Sequence, residues 1–164
     1  MPDDETLAAY ARAAGDVLRA RGLHAVTVES CTGGYVAKLL TDIPGSSRWF
    51  EAGLVTYSNV AKQRDVGVRA STLAAHGAVS EACVREMASG ALLKADADRA
   101  VAITGVAGPD GGTPRNPVGS VWFARADREG DLPIVRSQHQ QFSGDRDAVR
   151  RQAAAFALKL LAVE

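Results

Sequence analysis

The chain has 164 residues, 46% of them hydrophobic and 23% charged, enough for one soluble domain with a real core. Nineteen basic residues balance nineteen acidic ones, which argues against a general nucleic-acid binder and leaves room for a small anionic ligand. No segment reaches the roughly 18 apolar residues of a membrane span. Met1-Pro2-Asp3-Asp4-Glu5 lacks the basic and apolar regions of a signal peptide, and Cys31 and Cys83 supply neither a disulfide framework nor metal-ligand spacing. The expectation is a reduced, cytoplasmic protein with no structural metal and no cofactor.

In chain order, Leu7, Tyr10, Ala11, Ala14, Val17 and Leu18 recur at helical spacing, predicting a helix over 4–21 closed by Gly22. A strand over 24–28 and a helix over 33–41 follow, the latter stopped near Pro44-Gly45. Residues 49–57 read as a second strand, 59–66 as a short helix before Gly67, and 71–76 as one further helical turn. Ser80 is the expected N-cap of a helix over 81–94, with Val79 and Val84 at the positions of a hydrophobic staple. A strand over 99–104, a long loop over 105–117, a strand over 118–126, a strand within 134–142 and a helix over 145–162 complete the chain. Helices alternate with strands early and strands adjoin late. This predicts an α/β fold, a three-layer α/β/α domain with a mixed sheet and no internal division.

Three stretches carry chemistry. The first is Glu29-Ser30-Cys31-Thr32-Gly33-Gly34, at a predicted strand-to-helix turn. It places the Ser30 hydroxyl beside free backbone N–H groups at a helix N-terminus, where Thr32, Gly33 and Gly34 can meet an anion or a developing oxyanion. A plain helix cap is the commoner use of Ser and Thr at such a place. The second is Thr56-Tyr57-Ser58-Asn59-Val60-Ala61-Lys62. No histidine sits in an evident motif, so a desolvated lysine is the available base for a serine nucleophile, with Tyr57 to relay the proton. Locally, a solvated lysine and a half-buried strand tyrosine serve as well. The third runs from Thr104 through Gly105, Gly108, Gly111 and Gly112 to Pro114. Glycine at this density lets backbone approach a ligand, yet the spacing fits neither the dinucleotide fingerprint nor the P-loop. Arg115 and Arg146 are candidate phosphate contacts, or ordinary surface charges. Cys31 reads as a small buried thiol, His76 as structural, and Asp110 as a turn residue or a catalytic acid.

Together these stretches resemble one family. Glu29–Gly34, Val55–Lys62, His76-Gly-Ala-Val-Ser80, Thr104–Pro114, Pro117–Phe123 and Gly144-Asp-Arg146 occur in this order in the C-terminal domain of the CinA family, from about Leu7 to the last helix. The chain looks like the stand-alone form, without the N-terminal molybdopterin-binding-like domain of longer members. Arg115-Asn116 replaces a frequent Glu-Lys pair, and Ser120 a frequent Thr.

The resemblance implies a nicotinamide mononucleotide amidohydrolase of pyridine-nucleotide salvage, needing no metal or cofactor, and a homodimer. It maps catalytic roles onto Ser30, Tyr57 and Lys62. Substrate binding is expected from Thr32, Gly33, Gly34, Asn59, Thr104, Gly105, Gly108 and Arg146, with the Gly105 loop, Thr104 and Arg146 holding the ribose phosphate. Two rivals remain open at this point: a non-catalytic nucleotide- or partner-binding module, and an amidase for another small carboxamide.

Overall fold

The computed structural model describes residues 1–163. Its elements are α1 (Asp4–Arg21), β1 (Ala25–Glu29), α2 (Tyr35–Thr41), a 3-10 turn (Ser46–Arg48), β2 (Phe50–Val55), α3 (Asn59–Val66), α4 (Ala70–His76), α5 (Glu81–Lys94), β3 (Arg99–Gly105), β4 (Ser120–Glu129), β5 (Leu132–Gln141) and α6 (Arg146–Ala162). The strands form one sheet in the order β2-β1-β3-β4-β5. β1 runs parallel to β2 and β3, and the β3–β4–β5 meander is antiparallel.

Side-chain alternation sorts the core into two layers. Ala25, Val101, Ile103, Val121 and Phe123 face Leu7, Leu18, Leu40, Val149 and Leu158 from α1, α2 and α6. Their neighbours Val26, Val28, Ala100, Ala102 and Ala124 face Val84, Met87 and Ala88 of α5. Central strands buried on both faces lose the polar alternation of a one-sided sheet, which explains why β1 is buried throughout and β3 carries the unbroken apolar run Ala100–Ile103. Helix ends follow the chemistry expected of them. Asp3 accepts from the Thr6 amide, Ser80 from that of Cys83 and Asp145 from that of Ala148. Gly90 lets α5 pass against the end of α3, where a Cβ would lie 1.7 Å from the Val66 carbonyl oxygen.

The boundaries that differ most from the sequence reading have physical reasons. α2 starts at Tyr35, not at residue 33, because Gly33 and Gly34 have φ of +61° and +93°. β2 ends at Val55, two residues early, because Thr56 and Tyr57 turn towards α3. The last two strands form a longer hairpin, turning at Gly130-Asp131. The charged Asp127-Arg128-Glu129 at the end of β4 hid it, as did Pro133, which is tolerated because β5 is an edge strand.

The register places the ends of three strands together. Glu29, the last residue of β1, pairs with Val55 of β2 and Ile103 of β3. The segments that follow, Ser30–Gly34, Thr56–Asn59 and the loop after Gly105, therefore emerge at one edge. Crevices outside strand ends are where open α/β sheets place their ligands.

Candidate active site

The turn after β1 is held by a residue whose role the sequence reading missed. Glu29 is fully buried, and its carboxylate accepts the amides of Gly34, Val36 and Ala37 at 3.0, 3.1 and 2.9 Å. It thereby caps α2 from inside the protein, a charge-assisted arrangement that satisfies the first N–H groups of the helix. The signal was legible: an acid ends an otherwise apolar strand just before a glycine pair. Arg150 of α6 adds a second restraint by donating to the Thr32 carbonyl at 3.0 Å. The Ser30 amide donates to Ile103, extending the β1–β3 ladder to the candidate nucleophile.

Lys62 approaches from α3. Its Nζ lies 3.0 Å from Ser30 Oγ, 2.7 Å from the Thr56 carbonyl oxygen and 3.4 Å from that of Tyr57. The side chain is 1% exposed and has no carboxylate within salt-bridge distance among the described residues. Burial pulls its pKa below the ordinary lysine range. Burial pushes the nearby thiols up, to about 12 for Cys31 and about 11 for Cys83. They are neutral at physiological pH and give Lys62 no counterion. Cys31 is the small buried thiol the sequence suggested.

A cavity of about 310 Å³ opens above this pair. Ser30, Tyr57, Asn59, Lys62, Thr104, Gly105, Gly108 and Arg146 all line it, as do Cys31 and Asp110. The Ala78–Val79 segment forms another wall, fixed by Thr104 Oγ1 donating to the Ala78 carbonyl and Asn116 Nδ2 to that of Val79. Neither tether was foreseen, because both join residues more than 25 apart in sequence.

Two expectations are corrected. Thr32, Gly33 and Gly34 do not line the cavity: the Gly33 amide donates to the Ser30 carbonyl, and that of Gly34 to Glu29. Their glycines shape the turn rather than face a ligand. Nor does the Tyr57 hydroxyl stand between lysine and serine. It accepts from Arg146 Nη2 at 3.1 Å, while Arg146 Nη1 donates to the Gly108 carbonyl at 2.7 Å. Tyr57 offers Lys62 only its backbone oxygen. Arg115 and His76 lie outside the cavity, in a neighbouring groove.

A buried lysine hydrogen-bonded to a serine at a strand end, beneath a glycine-rich loop, is an arrangement suited to nucleophilic attack on a carbonyl. The CinA C-terminal domain model matches residues 7–164. This chain belongs to the CinA C-terminal domain family. Among relatives within it, nicotinamide-nucleotide amidohydrolase PncC of Escherichia coli K12 is 59% identical over 158 residues, covering 96% of this chain and 94% of that protein. A solved CinA superfamily protein from Klebsiella pneumoniae 700603 superimposes with a TM-score of 0.89 at 44% identity, over 95% of each chain. The competence/damage inducible protein of Agrobacterium tumefaciens gives 0.91 at 38% identity, over 98% of this chain and 95% of that one. The mixed sheet described above is thus the CinA fold, and the Ser30–Lys62 pair sits at its parallel strand ends.

Proposed function

We propose that this protein is a nicotinamide mononucleotide amidohydrolase, converting nicotinamide mononucleotide and water to nicotinate mononucleotide and ammonia in pyridine-nucleotide salvage. The observation that carries the chemistry is the direct 3.0 Å contact between Lys62 Nζ and Ser30 Oγ, with the buried lysine making no ion pair among the described residues. The 59% identity to the Escherichia coli amidohydrolase supports the substrate.

In this reading neutral Lys62 takes the Ser30 hydroxyl proton as Oγ attacks the carboxamide carbon. The same proton then passes to the departing nitrogen as the C–N bond breaks and ammonia leaves. Water, deprotonated by Lys62, hydrolyses the acyl-enzyme and restores Ser30. The pyridinium ring withdraws electrons and makes the carbon more electrophilic. With the Gly33 and Gly34 amides committed, the oxyanion falls to other donors of the turn, of which Cys31 lines the cavity. Arg146, steadied by Gly108 and Tyr57, supplies the positive charge at the rim for the ribose phosphate. Asn59, Thr104, Gly105 and Gly108 contour the remaining wall.

No helix among the described residues is long and apolar enough to cross a membrane. We place the enzyme in the cytoplasm, where its two free buried cysteines stay reduced, and as a homodimer, which light scattering of the purified protein checks.

Ammonia release from nicotinamide mononucleotide, with and without a chelator, is the deciding assay. Release that persists with the chelator and vanishes in Ser30→Ala and Lys62→Ala supports the serine amidohydrolase. Nucleotide binding without release would instead indicate a binding module, and release only from other carboxamides a different amidase.

A further inference from the structure

A second concavity, about 730 Å³ and larger than the catalytic cavity, lies behind the Ala78–Val79 wall, between the start of α5 and the outer face of β4–β5. Its volume falls within the range of small-molecule sites. Its charges are unevenly matched. Glu86 is already engaged by Arg69 Nη2 at 2.6 Å and by the Thr72 hydroxyl at 2.7 Å. Glu81 accepts from Ser137 Oγ at 2.6 Å. Arg85 Nη1 donates to the same Ser137 Oγ at 3.1 Å, so that hydroxyl stands between it and Glu81, and neither Arg85 nor Arg115 makes a direct ion pair among the described residues. Both line the groove.

The floor is aromatic. The Trp122 indole lines it half-buried, its ring centroid 5.0 Å from that of His139. His139 is in turn held by Ser120 Oγ at 2.7 Å from its Nε2. An aromatic surface beside two guanidinium groups that make no direct ion pair suits a ligand that joins a flat ring to a phosphate. A protein partner is a poorer fit, because the site is concave.

We propose that this groove is a second ligand site, for an aromatic phosphomonoester of the nucleoside monophosphate class. The ring would stack on Trp122 and the phosphate would sit between Arg85 and Arg115. The site is separate from the Ser30–Lys62 cavity, so it stands or falls independently of the amidohydrolase reading.

The chain has two tryptophans, and Trp49 lies elsewhere, buried against Gly15. Trp49→Phe therefore leaves Trp122 as the only indole reporter. The expected result is saturable quenching of its fluorescence by AMP, with adenosine and inorganic phosphate each binding at least about tenfold more weakly. Arg85→Gln and Arg115→Gln should each weaken AMP by about tenfold or more, leaving ammonia release unchanged. Titration calorimetry of the unaltered protein with AMP gives the same answer should Trp49→Phe fold poorly.

The proposal is overturned by three outcomes. One is the absence of both saturable quenching and binding heat. Another is AMP binding that is lost in Arg146→Ala yet unaffected by Arg85→Gln, which assigns it to the catalytic cavity. The third is a change of oligomeric mass in the Arg85 and Arg115 variants without any change in AMP affinity, which assigns the groove to contact between copies.

Discussion

Two buried cations stand at opposite ends of the same sheet, and they are treated in opposite ways. At the far end from the cavity, Arg99 is 2% exposed at the start of β3. Its Nε donates to Asp127 at 2.6 Å, and its Nη1 donates to the carbonyls of Leu161 and Val163, tying the end of α6 to the sheet. Arg125 shares the same carboxylate at 2.7 Å. Lys62 is buried as deeply, yet it meets only a hydroxyl and two carbonyl oxygens. A guanidinium keeps its proton in proteins, so it can be buried only where a carboxylate offsets the desolvation. An ammonium can lose its proton, and leaving it without a carboxylate favours the neutral amine that a serine needs. The arginine end builds structure; the lysine end builds reactivity.

The sharpest way to break this comparison is at Ser30 and Lys62. Ser30→Ala and Lys62→Ala should each lower turnover by at least about 10³-fold, and the double variant should be little worse than either, since the two act as one unit. Ammonia release gives both numbers, and additive losses would separate the pair. The same assay across pH tests the protonation argument. Because Lys62 must be neutral and burial lowers its pKa, turnover should rise with pH and level off below the ordinary lysine value of 10.5. A profile with no rise at any pH below that value would remove the lysine from its role as base.

The opposite end should respond in stability rather than in chemistry. Asp127→Ala strands two guanidinium groups, one of them fully buried, and should lower unfolding free energy by about 3–5 kcal/mol in a denaturant titration. Turnover per folded molecule should hold. Loss of turnover without loss of stability would contradict the division of labour.

Glu29→Gln tests a residue with both characters. It turns an amide group towards the backbone N–H groups at the start of α2, costing about 1–3 kcal/mol of stability. Because it also loosens the Ser30 turn, kcat should fall by up to about 10²-fold with a smaller change in KM. Tyr57→Phe should do least. Its hydroxyl meets only Arg146, so a few-fold rise in KM is expected. A drop in kcat beyond about 10²-fold would restore the proton relay that the geometry removes.

Element type was legible in the sequence wherever one face or one turn decided it. Apolar positions at helical spacing marked α1, α5 and α6, and Ser80 and Gly22 marked their ends. The β4–β5 hairpin was shortened because charged residues close β4 and the exposed edge strand β5 leaves no clear apolar pattern to read. At the site, Ser30 and Lys62 were legible as residue types in two short motifs. That their side chains meet depends on the parallel register of β1 with β2, which no local pattern contains.

The sequence by itself determined the alternation of elements, the three chemistry-bearing stretches and the family, because these depend on local spacing and on motif order. Only the tertiary structure decided which groups share the cavity. It moved Thr32, Gly33 and Gly34 from ligand contacts to the frame of a turn, gave Glu29 to the cap of α2, and bound the Tyr57 hydroxyl to Arg146. It also decided that Lys62 is buried without a counterion. The physical reason is that burial and hydrogen-bond partnership belong to the packed whole: a lysine in a sequence carries no sign of which carboxylates the fold will keep away from it.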